Sequence, residues 1–296
     1  MKSNRIALIG PGAVGGTIAA WLQQSEDNEV TLCARTAFDR LIVETPEGSI
    51  EARPRILTGP ESAAPYDWIL VTTKTYDAVA TAAWFPSMVD RNTRVAVLQN
   101  GVEHVARFSP YLAAELLLPA VVDIPAERGA PGRIRQRRMG TIVVPERPDG
   151  VAFAALFAHT PIQVSLTGDF ATAAWTKLAL NCAGAVSALT LQPSGIAWRD
   201  DIADIQREMV RECIAVGRAE GARLSDDLVE DVIEKYRAAP RDSINSLHSD
   251  RAAGRAMELD ARNGVIVRLG ARHGISTPVN AFIVALLRAA AEGAPV

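Results

Sequence analysis

The chain has little of what metal, nucleic-acid or membrane binding needs. Its three cysteines, Cys33, Cys182 and Cys213, stand far apart with no C-x-x-C spacing. That excludes a disulfide framework and a zinc site and fits a reducing compartment. The four histidines, His104, His159, His248 and His273, show no metal-ligand spacing, so no metal is expected. Basic and acidic residues nearly cancel, 31 against 34, so the basic excess of a nucleic-acid or acidic-membrane binder is missing. The uncharged stretch from Ile6 to Ser25 is cut by Gly10-Pro11-Gly12, and that from Leu178 to Ile196 carries Asn181, Ser187, Thr190, Gln192 and Pro193. Neither reads as a membrane span or a leader, and a soluble, cytoplasmic protein is expected. Aromatics are sparse at 5%, and abundant Ala and Leu lean towards helix.

What is present is globular. Over 296 residues, 48% hydrophobic and 22% charged, the length favours two domains. The first half alternates short apolar runs with helical spacing. Strands are expected at Arg5–Ile9, Glu29–Ala34, Trp68–Thr72, Arg94–Leu98 and Leu116–Val122, with helices at Ala13–Gln24, Tyr76–Phe85 and Val102–Phe108 between them. Near-continuous apolar strands separated by helices predict a parallel sheet covered on both faces. A hairpin is expected around Pro46-Glu47-Gly48, an antiparallel insertion over Gly129–Val144, and a last strand at Ile162–Leu166. After Gly168 only helical spacing remains, in Phe170–Ala183, Ile202–Ala219, Asp226–Arg237, Met257–His273 and Val279–Glu292. The expected fold is α/β, a doubly wound N-terminal sheet over residues 1–168 and an all-helical domain over 169–296.

Gly10-Pro11-Gly12-Ala13-Val14-Gly15 matches G-x-G-x-x-G between an expected strand and an expected helix. In that context the first glycine makes the tight turn, the second lets a pyrophosphate approach the backbone, and the third lets helix and strand pack. Ala13 and Val14 would open a helix whose N–H groups and dipole face the phosphates. This is the fingerprint of a Rossmann-type dinucleotide site. Where an acidic residue would bond the ribose of NAD, the second strand ends in Cys33-Ala34-Arg35. An arginine there suits a 2′-phosphate, so NADP(H) is the expected cofactor.

From these residues onward the chain resembles the ketopantoate reductase family, the 2-dehydropantoate 2-reductases. The resemblance runs through the glycine loop, Val71-Thr72-Thr73-Lys74, Gln99-Asn100-Gly101 and Trp175-Thr176-Lys177-Leu178-Ala179-Leu180-Asn181. It continues in Ser246, Glu258-Leu259-Asp260, Asn263-Gly264, His273-Gly274-Ile275 and Pro278-Val279-Asn280. It implies Lys177 and Glu258 as catalytic residues, Asn100, Asn181 and Ser246 as substrate contacts, and Lys74 and Asn100 beside the cofactor. It also implies a small keto acid as substrate and a place in pantothenate biosynthesis, with a homodimer left open.

The implied chemistry is coherent. Reducing a ketone needs a hydride on one face of the carbonyl and a proton at its oxygen; NADPH supplies the first and a lysine ammonium can supply the second. Lys177 and Asn181, four apart, would share one helix face. The chain departs from the family at Ala185 and Val186, where an asparagine and a proline are common. The missing amide leaves open a different branched keto acid. A third reading, an NADP-redox sensor without turnover, has no need of Lys177, Asn181, Ser246 and Glu258 together. The run Arg133, Arg135, Arg137 and Arg138 is expected to be a solvated loop, and His248 and Cys182 to be packing residues.

Overall fold

The computed structural model describes residues 3–292. The outermost ends of the expected domains, 1–2 and 293–296, lie outside the described residues. The chain divides into two compact units between Phe170 and Ala171.

In the first unit a six-stranded, all-parallel sheet runs in the order β5-β2-β1-β6-β7-β8. Its strands are β1 (Asn4–Ile9), β2 (Asn28–Cys33), β5 (Arg55–Leu57), β6 (Trp68–Val71), β7 (Arg94–Val97) and β8 (Leu117–Pro119). The two-residue period of these strands divides the core. Ile6, Leu8, Trp68 and Leu70 face one cluster, whereas Ala7, Ile9, Ile69 and Val71 face the other. Helix α1 (Ala13–Leu22) contributes to the first cluster. The second is closed by α2 (Ala78–Ala82), α3 (Phe85–Met88) and α4 (His104–Phe108). The helix expected over Tyr76–Phe85 is broken in two, with Pro86 opening α3, because proline fits a first helical turn and not an interior.

The hairpin of β3 (Leu41–Thr45) and β4 (Gly48–Ala52) joins β10 (Ala126–Ala130) and β11 (Arg133–Gln136) in a second sheet, ordered β10-β11-β3-β4. Helix α1 lies against it. Gly16 leaves room for Ile134, whose Cδ1 would be 2.1 Å from a Cβ, and the Trp21 indole donates to Gln136 Oε1 at 2.9 Å. In the basic run, Arg137 pairs with Glu127 and Arg138 with Asp123.

Two expected strands differ. Leu116–Val122 is not one strand: β8 ends at Pro119, which has no N–H to donate, and β9 (Val121–Asp123) belongs to another sheet. That third sheet, β13-β12-β9, contains β12 (Thr141–Pro145) and β13 (Gln163–Thr167), so the last strand does not extend the main sheet. Helix α5 (Pro148–Ala155), which the apolar spacing did not indicate, sends Phe153 into the first core.

The second unit is helical: α6 (Phe170–Ala183), α7 (Ala185–Thr190), α8 (Asp200–Ala219), α9 (Leu228–Ala238), α10 (Ser246–Ala252), α11 (Val265–His273) and α12 (Pro278–Glu292). The helix expected from Met257 starts at Leu259 and passes through a π-helical turn, Asp260–Gly264, before α11. Glu258 therefore precedes the helix rather than standing on it. Among the described residues no helix is long and apolar enough to cross a membrane.

Candidate active site

The strand order reverses at β1 and β6: the chain builds outward through β2 and β5 on one side and through β6, β7 and β8 on the other. Such a switch point opens a crevice at the carboxyl ends of the strands. The first-unit candidates follow those ends: Gly10–Gly15 after β1, Arg35 after β2, Lys74 after β6 and Asn100 after β7.

Each glycine of the loop has a local reason. Gly10 has φ +89°, and a Cβ there would stand 2.8 Å from the Thr73 nitrogen. At Gly15 a Cβ would fall 2.2 Å from Thr72 Oγ1 and 2.6 Å from the Gly10 carbonyl oxygen, so α1 packs on the loop only without a side chain. Gly12 is different, because a Cβ there would meet only the Gly10 oxygen, at 3.9 Å. That open backbone is where a pyrophosphate can approach. Gly12 caps α1 without a side-chain hydrogen bond, and no acidic residue occupies the first turn. The N-terminal N–H groups of Ala13 and Val14 and the helix dipole are thus suited to an anion. The residues present fit a dinucleotide.

The neighbouring loops are laced to this one. Thr72 Oγ1 donates to the Gly10 carbonyl at 2.9 Å. Gln99, 4% exposed, donates through Nε2 to Thr73 Oγ1 at 2.9 Å and to the Lys74 carbonyl at 3.2 Å, and accepts at Oε1 from Arg107 at 3.0 Å. Gln99 therefore fixes the loop bearing Lys74 against the one bearing Asn100. Gly101, at φ +97°, completes the Asn100 turn. His104 Nε2 lies 3.0 Å from the Gln99 carbonyl, and burial with nearby Arg107 pulls its pKa down to about 4, so the ring is held neutral. The Arg35 side chain is 91% exposed, with Asp77 at 4.0 Å. Arg40 is paired with Glu51 at 2.9 Å.

In the second unit α6 carries both Lys177 and Asn181, one turn apart. The end of α6 is held unusually tightly. Five consecutive carbonyls, from Leu180 to Gly184, each accept a side-chain hydrogen bond. The donors are Tyr236 (2.9 Å), Arg262 (2.5 Å), Asn263 (3.1 Å), Gln206 (3.1 Å) and Asn245 (2.9 Å), in chain order of the acceptors. Helix-terminal carbonyls left bare in a core would each be costly, and these donors remove that cost. Gly184 leaves the room: a Cβ would be 2.5 Å from the Tyr236 hydroxyl and 2.8 Å from Asn245 Nδ2.

Arg262 links the predicted residues. Its guanidinium bonds the Asn181 carbonyl and reaches Ser246 Oγ at 3.4 Å, while the Glu258 and Asp250 carboxylates favour its charge against the burial that pulls its pKa down. Asn181, Ser246 and Glu258 are thus gathered about one buried cation. Ser246 opens α10, whose cap is Asn245, accepting from the His248 backbone N–H at 3.0 Å. His248 is a packing residue, buried with Nδ1 3.0 Å from Ser187 Oγ. Cys182 is fully buried, its Sγ 3.2 Å from the Ala179 carbonyl. Ala185 is also fully buried, at the start of α7.

Sequence reasoning passed over Arg262, Gln99 as a tether, and Asn245. Arg262 left a signal: it stands three and four residues before Val265 and Ile266, a charge on the apolar stripe of a helix.

Comparison with known proteins matches these two halves. The family model described as ketopantoate reductase PanE/ApbA matches residues 6–149, and its C-terminal counterpart matches residues 169–291. The 2-dehydropantoate 2-reductase of Caulobacter vibrioides is 67% identical, covering 97% of this chain and 99% of that protein. The one of Mycobacterium tuberculosis is 40% identical, over 97% and 98%. The crystal structure of a PanE/ApbA family ketopantoate reductase from Ralstonia eutropha superposes with a TM-score of 0.90 at 32% identity, covering 97% of this chain and 98% of that one.

Proposed function

Because the chain belongs to the ketopantoate reductase family, we propose that it reduces 2-dehydropantoate to pantoate with NADPH. The observation that carries the reading is the polar set of the helical unit. Lys177 and Asn181 share one face of α6, and Asn181, Ser246 and Glu258 are tied to one buried guanidinium. A redox sensor has no use for that set.

The first unit binds the cofactor. The α1 N-terminus and Gly12 would hold the pyrophosphate, Arg35 would pair with the 2′-phosphate, and Lys74 and Asn100 would serve the nicotinamide. Bound NADPH supplies the hydride to the ketone carbon. Lys177 neutralises the negative charge growing on the carbonyl oxygen and delivers the proton that completes the alcohol. Asn181 and Ser246 hold the keto acid, and Glu258 accepts from a substrate hydroxyl. The residues 169–296 then form the substrate domain and 1–168 the nucleotide domain. Three buried free cysteines suit a cytoplasmic location, with the Cys33 thiol pushed up to about 12 by burial. A homodimer is the assembly we carry forward, supported by the exposed apolar Phe282 and Leu286 on α12.

The test is a panel of 2-oxo acids followed at the NADPH absorbance. The reading expects 2-dehydropantoate to give the highest kcat/KM. A better rate with another branched keto acid would replace the substrate, and binding of NADPH without consumption would favour the sensor.

A further inference from the structure

We propose that Arg262 is a positioning and specificity-determining residue: through Ser246 and Asn181 it turns the substrate groups of the helical unit towards a carboxylate-bearing ligand. This rests on the 2-oxo acid reductase reading.

The first ground is placement. Arg262 is 3% exposed, on the π-helical turn that interrupts the helix after Glu258. A π-turn shifts the register of the side chains that follow it, and here Arg262 and Asn263 both reach the end of α6. Arg262 thereby grips the carbonyl of Asn181, the residue whose side chain is assigned to the substrate. The second ground is an unsatisfied donor. Arg262 Nε is buried with no hydrogen-bond partner, although a guanidinium offers five N–H groups. A buried cation with an idle donor is unfavourable for the fold alone, and a role in binding accounts for it.

The third ground is direction. Ser246 Oγ can accept from Arg262 at 3.4 Å, and Ser246 itself is exposed. A hydroxyl that accepts from a guanidinium keeps its own proton for an outward acceptor. Ser246 is thus set to donate to a carboxylate or carbonyl oxygen.

The experiment compares wild type, Arg262→Met, Arg262→Lys, Ser246→Ala and the Ser246→Ala/Arg262→Met double variant. Substrates are 2-dehydropantoate and its methyl ester, and melting temperature and NADPH affinity are read alongside. Loss of a charge-assisted contact predicts that R262M raises KM for the acid about 10- to 100-fold, with kcat within about threefold and NADPH affinity unchanged. The preference for acid over ester shrinks in R262M and is largely retained in R262K. In the S246A background the R262M penalty is several-fold smaller, a coupling that a purely structural arginine would not show. If R262M does not fold, R262K carries the test: a KM raised severalfold with acid preference retained supports the assignment. Unchanged KM and unchanged acid preference in a folded R262M or R262K overturns it, as does an R262M penalty that is the same with and without Ser246. A wild-type protein inactive on all 2-oxo acids would instead overturn the underlying reading.

Discussion

Arg35 shows how much one side chain can decide. It follows β2 where a ribose-binding carboxylate would indicate NAD, it is almost wholly exposed, and Asp77 stands at the 4.0 Å limit of an ion pair. Solvent screening makes that pair worth little, so the guanidinium is available to a doubly charged phosphate. Arg35→Ala is expected to weaken NADPH about 10- to 100-fold and to leave NADH within about twofold, measured by fluorescence titration of both nucleotides. Equal losses for both would take Arg35 out of cofactor choice. Arg35 could be singled out in the sequence because it stands just after a strand. Arg262 left only its place on an apolar stripe, and the π-turn shows that it faces the end of α6.

At the level of elements, apolar spacing located most helices and strands but not their interruptions. In α8 the spacing picks Ile202, Ile205, Met209, Cys213 and Val216. The structure exposes Ile205 and buries Gln206, whose amide caps the Ala183 carbonyl. A hydrogen-bond requirement two helices away outranked hydropathy. The same holds for the α6–α7 junction, where the donors come from residues 206, 236, 245, 262 and 263. No local pattern announces five donors so far apart in sequence. The turn and packing glycines of the loop, by contrast, were legible: Gly10 takes φ +89° and Gly15 leaves no room for a Cβ. Gly184→Ala tests the junction: its Cβ would strike Tyr236 and Asn245, and overpacking there is expected to destabilise the protein by about 1–3 kcal/mol. Urea denaturation reads the change. An unaltered midpoint would mean that the junction relaxes freely.

For the molecule as a whole, stability and turnover answer separate questions. His104 is buried, and that burial pulls its pKa from the ordinary 6.5 down to about 4. As pH falls below about 6.5 the unfolded chain takes up a proton that the folded chain refuses, so stability present at neutral pH is lost down to about pH 4, by about 3 kcal/mol in total. Denaturation at pH 7 and pH 4 should show this loss, and His104→Gln should lack that share of it. The parallel sheet and the helical second half followed from periodicity. The split of one expected strand into β8 and β9 did not, because both pieces are equally apolar and only Pro119 separates their sheets. The central claim gives the nucleotide to the first unit and the proton donor to the second, and turnover is what joins them. The most direct measurement is steady-state NADPH oxidation with 2-dehydropantoate by wild type and Lys177→Ala, with NADPH affinity titrated in parallel. The account predicts active wild type, a kcat lower by about 100- to 10,000-fold in the variant, and NADPH affinity within about twofold. Equal kcat in the two proteins would contradict it.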